Sequence, residues 1–119
     1  MELGIFTMPL HPPGRIHADT YDETLKILSF VDKLGYSEAW IGEHYALPWE
    51  NVPAPDLFIA RALGETERIV LGTGVVLLQF HNPVQTAHRI AMLDHLARGR
   101  LYFGIGAGGS PSDYQMFGL

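Results

Sequence analysis

The sequence predicts an α/β domain built on a parallel sheet. Strand-like apolar runs alternate four times with segments of helical period, and a helix stands between each strand and the next. The longest run, residues 69–78, is apolar on both faces, as in a strand covered by helices. No linker or low-complexity tract interrupts residues 1–119, so the chain reads as part of one domain.

Each element has a local reason. Leu3-Gly-Ile-Phe-Thr-Met8 is a short apolar run closed by Pro9, a first strand. A loop with Pro12, Pro13 and Gly14 follows, after which Thr20 and Glu23 stand at capping-box spacing. Ile27, Leu28, Val31 and Leu34 then recur at helical intervals, and Gly35 stands where a left-handed C-terminal cap is wanted. Residues 37–42 make the second strand. Pro55 and Asp56 open a second helix through Leu63, with proline in the first turn and an acid near the positive end of the dipole. After the third strand, Asn82-Pro83 is an N-cap and N1 pair for a helix to Ala97, which Gly99 ends. Leu101–Ile105 is the fourth strand, and Ser110-Pro111 can open a further helix whose N-terminal amides would meet an anion.

Because every helix follows a strand, all strand C-termini face one way. His44, the region of Gly74 and the loop from Gly106 to Gly109 then gather on one rim, where closed barrels and open α/β sheets both place their sites. The pattern alone is compatible with either.

Composition excludes several functions. The net charge is −5 and the eight Lys and Arg are scattered, which argues against nucleic acid as a partner. There is no cysteine, hence no disulfide, thiolate metal site or cysteine nucleophile. No apolar stretch reaches the ~18 residues of a membrane span and no signal-peptide pattern opens the chain, so a soluble cytoplasmic protein without membrane partners is expected.

Several groups invite chemistry. Residues 40–45, Trp-Ile-Gly-Glu-His-Tyr, deliver Glu43, His44 and Tyr45 from a strand end to the rim. A histidine there is most often a polar rim residue. Here Glu43 stands beside it as a group to orient it, imidazole titrates in the working pH range, and the facing rim is glycine-rich, leaving room for a planar ligand. Gly104-x-Gly106-x-x-Gly109 fits a dinucleotide fingerprint, but in a fourth strand rather than a first. The better reading is backbone packed against a flat ligand or a neighbouring strand. His81, His88 and His95 do not form a metal site, since histidines seven apart on a helix lie ~10 Å apart along its axis. His88 and His95 read as surface or interface groups. Asp94 falls in the apolar arc of its helix, and Arg100 is its expected partner. The helix 55–63 is apolar nearly all round, and Met92 and Leu96 lie off the main apolar arc of helix 83–97. A partner subunit is expected on these two helices.

Taken together, WIGEHY at 40–45, the run from Ile69 to Gly108 with its LGTG, HNP, LD-x-L-x-x-GR and G-x-G segments, and the closing SDYQMFGL resemble the bacterial luciferase-like monooxygenase family. The resemblance covers essentially the whole chain and implies a (β/α) TIM-type barrel, here its first four βα units, residues 1–119. It implies reduced FMN, supplied by a partner flavin reductase, and O2 acting on a small organic substrate; a deazaflavin-using branch transfers hydride instead. It places His44 beside flavin and substrate as a proton-transfer group; Glu43, its neighbour in the chain, is the expected group to fix its tautomer. Phe6, Gly74, Val75, Gly106 and Gly108 are expected along the flavin, with Gly74-Val75 a non-prolyl cis peptide at the third strand's end. Where some luciferases have a cysteine and then a phosphate-touching arginine, this chain has Gly106 and Ala107. A barrel of eight strands takes ~250 residues. A fragment of a longer flavoprotein is therefore expected, inactive alone, and a half-barrel that only associates is the non-catalytic alternative.

Overall fold

The computed structural model describes residues 1–119. In chain order it runs β1 (Gly4–Thr7), α1 (His17–Lys33), β2 (Glu38–Ile41), α2 (Pro55–Leu63), β3 (Val70–Leu77), α3 (Pro83–Ala97), β4 (Leu101–Gly106) and α4 (Pro111–Met116). Single 3-10 turns at Pro48–Glu50 and Leu78–Phe80 follow β2 and β3. The sheet is four-stranded, in the order β1-β2-β3-β4, and every pairing is parallel.

All three long helices cover the same face of the sheet. Leu25, Leu28 and Val31 of α1, Phe58, Ile59 and Ala62 of α2, and Leu93 of α3 form one cluster with Ala39, Ile41 and Leu71. Helices on one face, with strands in sequential order, make four consecutive units of a (β/α) barrel rather than an open doubly wound sheet. The opposite, inner face carries Phe6, Trp40 and Tyr102, with Trp40 stacked on Tyr102 at 5.6 Å between ring centroids. Trp40 needs a glycine beside it: a Cβ on Gly72 would lie 2.6 Å from its Cε3.

Between Thr73 and Val76, β3 carries one residue more than β4, a bulge at the sheet's C-terminal edge. The Gly74-Val75 peptide within it is cis, as the resemblance implied.

Two local expectations are corrected. Helix α1 begins at His17, with Ile16 as an N-cap that makes no side-chain bond, so Thr20 and Glu23 form no capping box. Thr20 instead lies buried, donating to the His17 carbonyl at 2.9 Å and meeting the ring of His11 at 2.5 Å, while Glu23 pairs with Arg15. Asp94 is exposed, and Arg100 is not its partner. The Arg100 guanidinium donates to the carbonyls of Leu63, Thr66 and Ile69 and to Thr66 Oγ1, closing the end of α2 onto the start of β3. A guanidinium with several donors finds more acceptors at a helix C-terminus than one solvated carboxylate offers.

Candidate active site

The end of β2 separates its two polar residues by strand geometry. Successive side chains point to opposite faces. Ala39 and Ile41 enter the helix-side core, and Glu43, next in that series, is buried behind the sheet. Trp40, Gly42 and His44 belong to the inner series. The backbone of His44 is fixed by an antiparallel bridge to Val52, with N–H···O distances of 3.2 and 3.1 Å.

This alternation corrects the expectation that Glu43 orients His44. The carboxylate that holds His44 is Asp113, whose Oδ2 lies 2.9 Å from the ring Nδ1. Asp113 is buried in the first turn of α4, and its Oδ1 accepts from the amides of Tyr45 and Ala46 at 3.0 and 2.6 Å. Burial alone would raise the Asp113 carboxyl. The Ala46 amide, the His44 ring and the Tyr45 amide outweigh it and hold the group below the usual carboxylate range. An ionised carboxylate only accepts, so the proton of a neutral His44 sits on Nδ1. Nε2, which has no partner in the chain, is then the basic nitrogen. The ring side chain is 28% exposed.

Glu43 has other partners. Its Oε1 takes the Tyr45 hydroxyl and His81 Nε2, each at 2.7 Å, and its Oε2 takes the Leu77 amide at 3.1 Å. Burial, the bond to Glu43 and the charge of Glu43 together push the Tyr45 phenol far above its ordinary range, so it stays a donor.

A cavity of about 230 Å³ opens at this rim. Phe6, Gly74, Val75, Leu77 and Phe80 give it an apolar wall, His44 and Asp113 stand at one side, and Gly108, Gly109, Ser110 and Tyr114 close another. Of the anticipated flavin-side residues, Phe6, Gly74, Val75 and Gly108 line this cavity, and both anticipated catalytic residues, His44 and Glu43, border it. Gly106 does not; a Cβ there would lie 2.7 Å from Val75 Cγ2, so the glycine makes room for Val75. Helix α4 does form at Ser110-Pro111. Its first turn is occupied by Asp113, whose amide meets Ser110 Oγ at 3.4 Å, and no anion is needed there. His88 and His95 are exposed along α3.

Asp113 escaped the reading of the sequence because its partner is 69 residues away. One signal was present: an acid in the first turn of a helix that starts from the same rim as His44.

The wall fits a planar heteroaromatic group. It is flat where Gly74 contributes no side chain, apolar along Phe6 and Val75, and bordered by polar atoms at His44 and Ser110. Comparison with known proteins bears on the same point. Residues 1–119 match the profile of the luciferase-like monooxygenases. The chain belongs to that family. Among its luciferase-like relatives, the 4-hydroxyprotoasukamycin monooxygenase of Streptomyces nodosus subsp. asukaensis is 43% identical over all 119 residues, which cover 32% of that protein. The oxygenase component of the flavin-dependent trigonelline monooxygenase of Acinetobacter baylyi is 36% identical over 95 residues, 80% of this chain and 26% of that protein. The oxygenating constituent of 3,6-diketocamphane monooxygenase from Pseudomonas putida, solved in complex with FMN, superposes with a TM-score of 0.94 at 35% identity, covering all of this chain and 33% of that one. The coenzyme F420 dependent tetrahydromethanopterin reductase of Methanopyrus kandleri superposes with a TM-score of 0.71 at 28% identity, over 99% of this chain and 30% of that one. The chain thus spans about a third of the length of the relatives it matches.

Proposed function

We propose that this chain supplies the first four βα units of a flavin-dependent monooxygenase. It binds reduced FMN, delivered by a separate reductase, against the wall of Phe6, Gly74, Val75 and Gly108, and oxidises a small organic substrate with O2. The bound reduced flavin supplies the electrons for O2. The observation that carries the reading is the His44–Asp113 pair at the edge of that wall. Asp113 keeps the proton on Nδ1, and the free Nε2 takes up or returns a proton at the cavity, general acid/base help worth roughly 10²–10⁴-fold. The apolar lining by Val75, Leu77 and Phe80 favours an apolar substrate. The reductase finds support in the relative that is the oxygenase component of a flavin-dependent system. Pairing of two copies through α2 and α3 belongs to the same reading.

The test is cofactor titration of the intact barrel carrying this sequence, followed by turnover with a reductase, NADH and candidate apolar substrates. Tight binding of reduced FMN with oxygen-dependent product formation is expected. Binding of reduced F420 with oxygen-independent hydride transfer would replace this reading by the one the F420 dependent neighbour favours.

A further inference from the structure

The proton chemistry assigned to His44 leaves a buried carboxylate at the same rim, Glu43, unused. The Glu43 side chain has no exposed surface, and a carboxylate so placed needs donors for its lone pairs. Its three donors come from three pieces of chain: Leu77 ends β3, Tyr45 lies in the loop after β2, and His81 lies between β3 and α3. Tyr45 has one hydroxyl hydrogen and gives it to Glu43, so its 3.4 Å contact with His81 Nε2 is not a bond it donates. His81 Nε2 faces an acceptor and carries a hydrogen. Behind the pair lies a void of only about 10 Å³, bordered by Asp56 of α2 and by Thr86, Arg89 and Ile90 of α3. Arg89 there pairs with Asp56 at 2.5 Å, which leaves His81 as the cationisable group on Glu43 itself.

What Glu43 holds is the cavity wall. The Leu77 amide it binds is two residues past Val75, and both side chains line the cavity beside His44. Leu77 in turn limits Gly108, where a Cβ would lie 2.9 Å from Leu77 Cδ2. We propose that Glu43 and His81 are a positioning pair for the reaction at His44: they clamp the end of β3 and the loop after it to the tip of β2, setting the distance between the Val75–Leu77 wall and the imidazole. The inference rests on the functional reading above and extends it to His81.

The test uses the intact barrel with Glu43→Gln, His81→Ala, His81→Gln and, alongside, His44→Ala. Loss of the clamp should lower kcat by about 10²-fold in Glu43→Gln and His81→Ala, since misplacement of about 1 Å costs that much. The shape of the pH profile should survive, because His44 and Asp113 are untouched. His81→Gln restores an N–H donor and should recover most of the loss. FMN affinity, read by flavin fluorescence quenching, should fall in His81→Ala and return in His81→Gln. In the flavin-free protein, NMR should find the His81 Nε2 proton bonded and slow to exchange, and Glu43→Gln, whose neutral amide oxygen is the poorer acceptor, should weaken that protection. Wild-type kcat and FMN affinity in a folded His81→Ala protein would overturn the proposal. So would a glutamine variant no better than the alanine one, or a His81 Nε2 without its proton. If His81→Ala does not fold, the glutamine variant and the NMR signal decide. A His44→Ala protein with full turnover would instead sink the functional reading, whatever the His81 variants do.

Discussion

His44 and Asp113 act as one unit because a carboxylate and an imidazole can settle between them where the proton sits. His44→Ala in the intact barrel should lower turnover by about 10²–10⁴-fold and leave FMN affinity nearly unchanged. Asp113→Asn is the sharper variant. Its amide can still accept from Tyr45 and Ala46 but presents N–H to His44 Nδ1, forcing the hydrogen onto Nε2 and turning the basic nitrogen away from the cavity. Turnover should fall comparably while the fold persists; a fully active Asp113→Asn protein would show that the tautomer is irrelevant. A third buried carboxylate has purely architectural work. Asp32, at the end of α1, accepts from the amides of Glu67, Arg68 and Ile69 and so shapes the turn into β3. Burial tends to raise its carboxyl, yet the amides of Glu67, Ile69 and Arg68 and the Arg68 charge lower it below the ordinary value. A depressed folded value means that the stabilisation is present above the unfolded value, about 3.9, and is lost as pH falls through the folded one. Asp32→Ala should cost about 2–3 kcal/mol at neutral pH. Denaturant titration should find the deficit shrinking in acid; a deficit constant down to the lowest pH would mean that the charge is not what matters.

The helices show where local chemistry decides and where distant contacts do. Arg100 closes α2 through three carbonyls and a hydroxyl, so Arg100→Ala should destabilise by about 2 kcal/mol. Asp94→Ala on the exposed side of α3 should stay within about 0.5 kcal/mol. Equal effects in thermal melts would restore the Asp94–Arg100 pair. That pair was a natural reading of a sequence in which the two residues are close, since nothing local says that the guanidinium turns toward Leu63 and Thr66. By contrast α2 and α3 were legible to the residue, because Pro55 and the Asn82-Pro83 cap fix their starts chemically; Asn82 Oδ1 accepts from the amides of Val84 and Gln85. The start of α1 was not, because Thr20 is claimed by His11 from the preceding loop. The site divides in the same way. His44 and the glycine-bearing strand ends follow from the alternation of strand and helix, which collects them on one rim. The partners of those residues, Asp113 for His44 and His81 for Glu43, depend on how loops fold back across that rim, which no periodicity records.

At the scale of the molecule, two groups of exposed apolar side chains differ in what could cover them. Phe6 and Tyr102 on the inner face, and Phe103 and Ile105 on the outermost strand, lie where further βα units of a barrel would cover them. Leu57, Met92 and Leu96, exposed at 66%, 65% and 57%, do not. They sit on the outer side of α2 and α3, the middle helices of the four, facing away from the sheet, and additional units extend the sheet only at its edges. Together with Ala60 and Leu93 these side chains line a shallow groove of about 130 Å³ between the two helices. This stripe, which closure of the barrel cannot reach, is the surface on which the proposed pairing of two copies rests, a second copy of the same helix pair being a self-complementary match. The intact barrel should therefore elute as a dimer in light scattering. Met92→Glu with Leu96→Glu should convert it to a monomer, since two carboxylates per copy cannot be buried without partners. Because the groove is on the outer side of the helices and the cavity beside His44 opens at the inner rim, the monomeric variant should keep its FMN affinity. A wild-type barrel that is monodisperse and monomeric at micromolar concentration would leave the stripe as plain surface, and loss of FMN binding in the double variant would mean that the helix pair supports the rim after all.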